Sequence, residues 1–339
     1  MKRSWGTIVR LPYYLPYLIL PYAPTTQSRV LTDGVASLFD HSRDLIHMIN
    51  HFQSQMTLPL IGVGHSMGAT HLIHAALTHA RLFHAHILIE PVLYDRPPPP
   101  AVRGPAHAAA ARRDRWPSRD ALAASVANSK LYATWDARCI QRWLRYGVRP
   151  AATPDGADAV TLVTTKDQET FALTRPTYLS RPTAPPDGLW APPGPDSTAS
   201  LDRALRQYAA WPFLQPEPMI IFHQLPLLRP AVLYVYGAQS EFLPGGVRAR
   251  ARSRTGASVL GSGGEARGRV QSMEVEGAGH MVPVEQPGRI ARQTAAWIAG
   301  EVRRWREEQT GVEAEWRGKT GAARRTLDEE FVSRLGVKL

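Results

Sequence analysis

Between Gly64 and Gly68 the chain reads Gly-His-Ser-Met-Gly. This is a G-x-S-x-G pentapeptide with the flanks its chemistry needs: the apolar run Leu58–Gly64 ahead of it and a helix-compatible stretch from Met67 to about Ala80 behind it. A sharp strand-to-helix turn lifts the Ser66 hydroxyl above the sheet edge, and the small flanking residues permit the strained backbone this requires. The first N–H groups of the helix, Met67 foremost, then point at an oxyanion forming on an attacked carbonyl. A serine hydroxyl is a weak nucleophile until a base takes its proton. Of the twelve histidines, His280 has the setting for that role, in a Gly-rich loop, Glu276–Pro283, that follows the strand-like run Val270–Val275. Two acids compete to orient its imidazole. Glu90 directly follows the run Ala85–Ile89 and is taken first. Glu241 follows Ala231–Tyr236, with Ser240 in the slot where an aspartate is commonest. His71, His74, His79, His84 and His86 crowd the segment after Ser66, but no H-E-x-x-H or cysteine pair accompanies them, so no metal and no cofactor is expected.

These residues need a parallel sheet beneath them. Leu38, Phe39, Leu45, Ile46, Met48, Ile49 and Phe52 recur at helical spacing, with Asp40 or Ser42 placed to cap the start. Buried strands are expected at Leu58–Gly64, Ala85–Glu90, Ala231–Tyr236 and Val270–Val275, and Ile290, Trp297, Ile298, Val302 and Trp305 stripe a final helix. The four prolines at 97–100 and the Pro-rich stretch 182–200 border an insertion. The expected layout is an irregular segment at 1–35, a discontinuous α/β core at 36–95 and 219–308, a helical lid at 96–218, and a loosely held charged tail at 309–339. Trp116, Trp135 and Trp143 either shape an apolar pocket beneath the lid or pack within it.

At 339 residues with 44% apolar content the chain can bury a large core, and a single cysteine, Cys139, excludes an intrachain disulfide and fits a reducing compartment. The net charge of +11 is concentrated at 101–150, where ten Lys/Arg face three Asp/Glu. No nucleic-acid module has that spacing, so no nucleic-acid partner is expected; a solvated basic face is taken first, with the mouth of an anionic-ligand site as the alternative. No apolar run is long enough to span a bilayer. Lys2 and Arg3 precede the run Ile8–Leu20, but Arg10, Pro12 and Pro16 interrupt it, which argues against a secretory signal.

The order of elbow, insertion, late acid and Gly-x-Gly-His loop resembles the α/β-hydrolase superfamily. Within it, Phe39–Leu45, Asn50–Phe52, Gly64–Gly68, Leu88–Pro91, Val160–Leu162 with Gln168 and Glu169, and Gly277–Pro287 resemble the fungal hydrolases of AK-toxin-type biosynthesis and their peroxisomal relatives. The resemblance implies a serine hydrolase of acyl esters or thioesters, extending to fatty-acid-derived acyl groups, in a cytoplasmic or peroxisomal setting. The Val337-Lys338-Leu339 ending departs from the Ser-Lys-Leu address usual in that group. Epoxide-hydrolase and dehalogenase chemistry is excluded, since both need a carboxylate where Ser66 stands. Only 65 residues precede Ser66, fewer than the superfamily places there, and residues 1–60 hold no His-Gly pair for a second oxyanion donor. The N-terminal half of the sheet is therefore expected to be incomplete, leaving one edge of the elbow strand without its usual neighbour, with Thr7–Leu20 a partial substitute. A catalytically weak relative that binds a ligand or partner is the alternative.

Overall fold

The computed structural model describes residues 8–11, 37–96, 103–151, 158–173, 215–243 and 245–336. The chain divides into a unit ending at Ala291 and a second, Arg292–Leu339.

The first unit is built on a five-stranded sheet of β1 (Ile8–Leu11), β2 (Ile61–His65), β3 (Ala85–Ile89), β7 (Ala231–Gly237) and β8 (Val270–Val275), in that spatial order. Every neighbouring pair is parallel. Strands β3 and β7 are buried along their whole length, as the unbroken apolar runs require of strands covered on both faces. The usual neighbour of the elbow strand is replaced from within Thr7–Leu20, the segment expected as a partial substitute. Strand β1 lies beside β2, with Leu11 level with Gly64, and the pairing ends just before Pro12, which has no N–H to give a ladder. The rest of 1–35 lies outside the described residues.

Helix α1 (Leu38–Phe52) is capped by Ser37, three residues ahead of Asp40 and five ahead of Ser42, the caps that the sequence suggested. Ser37 accepts from the Phe39 N–H, and Asp40 reaches back to the Ser37 N–H to complete a capping box. Ser42 is instead buried and donates to the His71 carbonyl of α2 (Met67–Thr78). Leu45 and Ile49 of α1 pack with Leu72, Ile73 and Ala76 of α2 and with Ile221, Phe222 and Leu225.

The insertion carries helices α3 (Arg103–Ala111), α4 (Arg119–Ala127), α5 (Ala137–Tyr146) and α6 (Lys166–Leu173). It is not purely helical: β4 (Arg115–Trp116), β6 (Val160–Leu162) and β5 (Val148–Pro150) form a small antiparallel sheet. Trp116, Leu122, Val126, Val148, Val160 and Leu162 make a core of its own, with Trp143 packed against it. The Pro-rich borders lie outside the described residues. Beyond β7 come α8 (Gly245–Arg254) and, after β8, α9 (Val282–Glu285); α7 (Glu217–Gln224) precedes β7.

In the second unit the segment expected to be a loose tail is partly helical. The helix α10 (Pro287–Gly318) runs through its beginning and α11 (Glu329–Leu335) is capped by Asp328. Among the described residues no helix is long and apolar enough to cross a membrane.

Candidate active site

Ser66 sits between the end of β2 and the start of α2 with φ 54° and ψ −122°. Among the described residues the non-glycine positions with positive φ are Ser66 and Glu90, whose φ is 47°. Each such position costs on the order of 1–3 kcal/mol, so strain is concentrated at two residues singled out for chemistry. Local hydrogen bonds hold it in place: the Ser66 N–H donates to the Ile89 carbonyl at 2.8 Å and the Glu90 N–H to the Val235 carbonyl at 2.9 Å. Gly64 is required by the same turn, since a Cβ there would lie 2.7 Å from the Ala69 nitrogen and the Gly68 carbonyl. Met67 is the first helical residue, so no earlier carbonyl of α2 takes its N–H.

The three residues meet at the carboxyl ends of the parallel strands. The Ser66 hydroxyl lies 3.0 Å from His280 Nε2, and His280 Nδ1 lies 3.1 Å from Glu90 Oε2. Ser66 and Glu90 are buried, and the imidazole keeps 20% of its surface exposed. Glu90 also accepts from the Gly237 N–H at 2.8 Å and from the Ser240 hydroxyl at 2.7 Å. Against a carboxylate the proton sits on Nδ1, which leaves Nε2 to accept from Ser66. Such an array can deprotonate the serine while the carboxylate stabilises the resulting imidazolium. Glu241, the competing acid, is exposed. Its neighbour Ser240 is what enters the site, and it does so as a donor to Glu90.

The loops after β7 and β8 are laced together. The Gln239 N–H donates to the Ala278 carbonyl at 2.9 Å, and Gly237 passes so close to the His280 loop that a Cβ on it would lie 2.1 Å from the Gly279 carbonyl. Glu285 accepts from the Gly279 N–H at 2.6 Å and from the Thr134 hydroxyl of the insertion at 3.2 Å. The Asp136 N–H donates to the Val284 carbonyl at 2.8 Å, so the insertion is tied down next to His280.

Two features escaped the sequence reading. His65, the residue before the serine, lies 2.7 Å by its Nε2 from the His280 carbonyl. Burial, aided by the nearby His280, lowers its pKa to about 3, so it is neutral and the nitrogen facing the carbonyl is the protonated one, donating to it. Phe242 places its ring 4.1 Å from the imidazole. The only advance signal for His65 was its place inside the pentapeptide, and Phe242 gave none.

The histidines after the elbow are dispersed. His71 faces His41 at 4.4 Å between ring centroids, His74 stacks on Phe39 at 4.0 Å, and His86 is buried on β3 against Phe83. Among the described residues no group of three or more His, Cys, Asp or Glu is arranged to hold a metal ion. Trp135 and Trp143 both pack on Tyr132, at 5.0 Å, and Trp116 lies in the insertion's own core.

A parallel sheet with a strained serine at a strand-to-helix turn is the signature of one fold, and the chain belongs to it: residues 22–293 match the alpha/beta hydrolase family. Among curated proteins, it is similar to a type I acyl-CoA thioesterase of Penicillium roqueforti, 34% identical over 304 residues, covering 83% of this chain and 66% of that protein. A type I acyl-CoA thioesterase of Penicillium brevicompactum is 31% identical over 313 residues, 83% of this chain and 70% of that protein. An abhydrolase domain-containing protein of Alternaria alternata is 27% identical over 248 residues, 72% of this chain and 84% of its own. The chain thus spans about two thirds of the length of the Penicillium proteins. Among solved structures, the peroxisomal α/β-hydrolase Lpx1 of Saccharomyces cerevisiae aligns with a TM-score of 0.55 at 14% identity, over 81% of this chain and 65% of that one, a likeness of fold.

Proposed function

We propose that this chain is a serine hydrolase of acyl esters or thioesters with Ser66 as nucleophile, His280 as base and Glu90 as orienting acid. His280 Nε2 takes the hydroxyl proton as the Ser66 oxygen attacks the acyl carbon, and the Met67 N–H contributes to holding the oxyanion. Collapse breaks the bond to the leaving oxygen or sulfur, which takes the proton from the imidazolium. A water deprotonated by His280 then attacks the acyl-serine, the carboxylic acid leaves, and the Ser66 hydroxyl is restored. The observation that carries the reading is the pair of contacts at 3.0 and 3.1 Å through one imidazole, made by residues 214 and 190 positions apart. Thioesters are supported as substrates by the acyl-CoA thioesterases among the relatives. The resemblance to toxin-biosynthesis hydrolases supports a place in secondary metabolism.

Incubation with a fluorophosphonate probe tests this. Labelling of the wild type that is lost in Ser66→Ala is expected. A well-folded wild type that does not label refutes the hydrolase and favours a ligand-binding role.

A further inference from the structure

Four arginines alternate along α8, at positions 248, 250, 252 and 254. Three are engaged at a distance from Ser66's partners. Arg250 pairs with Asp95, Arg252 with Glu265 and the Ser272 hydroxyl, and Arg254 lies over the Phe222 ring. Arg248 turns inward, its side chain only 13% exposed, with its guanidinium 4.7 Å from the centre of the Tyr236 ring. Its Nε donates to the Leu243 carbonyl at 2.9 Å and its Nη2 to the Ser240 carbonyl at 2.6 Å. Nη2 also lies 3.8 Å from Glu90 Oε1, and Nη1 lies 3.7 Å from Glu274 Oε1.

Those two carbonyls bracket Phe242, which packs on the imidazole, and one of them belongs to Ser240, whose hydroxyl donates to Glu90. One guanidinium therefore ties down the stretch that touches both the acid and the base. A point charge on a flexible stem cannot bind two carbonyls in this fixed fork. The charge is placed to matter as well. Arg248 approaches Glu90 on the Oε1 side, whereas His280 and Ser240 use Oε2. At 3.8 Å it stands beside the carboxylate without competing for Oε2, the oxygen that accepts from the imidazole N–H. The burial cost of such a cation is offset only where acceptors and counter-charges surround it, as they do here.

We propose that Arg248 is a positioning residue for the Glu90–His280 pair, acting through the Ser240–Leu243 segment and through its charge on Glu90. This rests on the hydrolase reading above. Among the described residues, His65 on β2, Tyr236 on β7 and Glu285 on α9 are titratable groups near the pair, and Glu274 on β8 lies against Arg248.

The test is the rate of fluorophosphonate labelling at Ser66 across pH for the full-length wild type, Arg248→Met, Arg248→Lys and the control Arg250→Met. Misplacement of a catalytic group by about 1 Å can cost a hundredfold, so Arg248→Met is expected to label about tenfold to a hundredfold more slowly. Arg248→Lys, which keeps the charge and loses the fork, should recover only part of the rate, and Arg250→Met should match the wild type. Should Arg248→Met fail to fold, Arg248→Lys decides alone. A folded Arg248 variant, Met or Lys, with the wild-type rate overturns the proposal. A wild type that does not label at all overturns the hydrolase reading and this one together, whereas equal labelling of wild type and variant overturns only this one.

Discussion

Replacing Glu90 by Gln removes a charge and turns one of two acceptor oxygens into a donor, and the surroundings decide which. At Oε1 the incoming donor is the backbone N–H of Gly237, which cannot rotate away. At Oε2 the donors are the Ser240 hydroxyl, which can turn round and accept, and His280 Nδ1. The amide oxygen is therefore driven to the Oε1 position and the NH2 group to Oε2. There it faces Nδ1 and selects the tautomer with the proton on Nε2, the nitrogen that must accept from Ser66. In the serine-protease template the corresponding exchange of acid for amide costs about 10⁴ in kcat, or about 5 kcal/mol of transition-state stabilisation. The loss of folding stability should be smaller, about 1–3 kcal/mol, because Arg248 keeps the Ser240 and Leu243 carbonyls and Glu274 as partners. Fluorophosphonate labelling and hydrolysis of p-nitrophenyl acyl esters read the first quantity, and urea unfolding reads the second. Glu241→Gln, altering an exposed side chain, should stay within about twofold of the wild type. If Glu90→Gln turned over normally while Glu241→Gln collapsed, the assignment of the acid would be reversed and the tautomer argument with it.

Gly237→Ala should act on His280 from a distance. The new Cβ would fall 2.1 Å from the Gly279 carbonyl and 2.5 Å from that of Ala278, so the loop has to move; a stability loss of about 3 kcal/mol and labelling slowed at least about tenfold are expected, and unchanged labelling would show that the loop is not set by this close approach. Acid should destabilise the fold through His86, whose pKa burial lowers from 6.5 to about 3. Below pH 6.5 the unfolded chain takes up a proton there that the folded chain refuses, so stability falls with pH until about pH 3, by about 2 kcal/mol between pH 7 and 5. His86→Leu should lose about that much less over the same interval in urea unfolding, and an identical fall would count against the buried neutral imidazole.

The elbow and the His280 loop were legible because each is a local signal: small residues where the backbone must be tight, next to apolar runs long enough to show their character. The acid was not decidable in the same way, since β3 and β7 lie side by side and each is followed by a carboxylate within a few residues. What separates Glu90 from Glu241 is that Ser240 donates into the site, a contact between residues 150 positions apart. His65 and Arg248 were hidden for the same reason, because a histidine inside a motif and one arginine among four look alike until long-range packing distinguishes them. Strand β1 was legible only as the segment Thr7–Leu20, because Pro12 and Pro16 blur its extent; the four residues ahead of the first proline suffice to pair with Ile61–Gly64. The strands of the insertion, two or three residues long, are too short for alternation to register.

The closeness of the two candidate acids has a physical origin that also bears on how the site works. In a parallel sheet the carboxyl ends of successive strands converge, so an acid can be supplied from either of two neighbouring strands provided the other supplies something that binds it. Here β3 carries the carboxylate, while the segment after β7 carries the Gly237 N–H, the Ser240 hydroxyl and the Phe242 ring. Interchanging those roles takes more than moving a carboxylate, because the anion would leave the place at Glu90 that Arg248 faces and sit on the very segment whose carbonyls Arg248 binds. Ser240→Asp in a Glu90→Ser background should therefore recover less than about a tenth of the wild-type labelling rate, since the new carboxylate would sit on the segment whose carbonyls Arg248 holds rather than opposite it. Full recovery would mean that the two strand ends are interchangeable, and that the left-handed backbone at Glu90 serves no more than the turn.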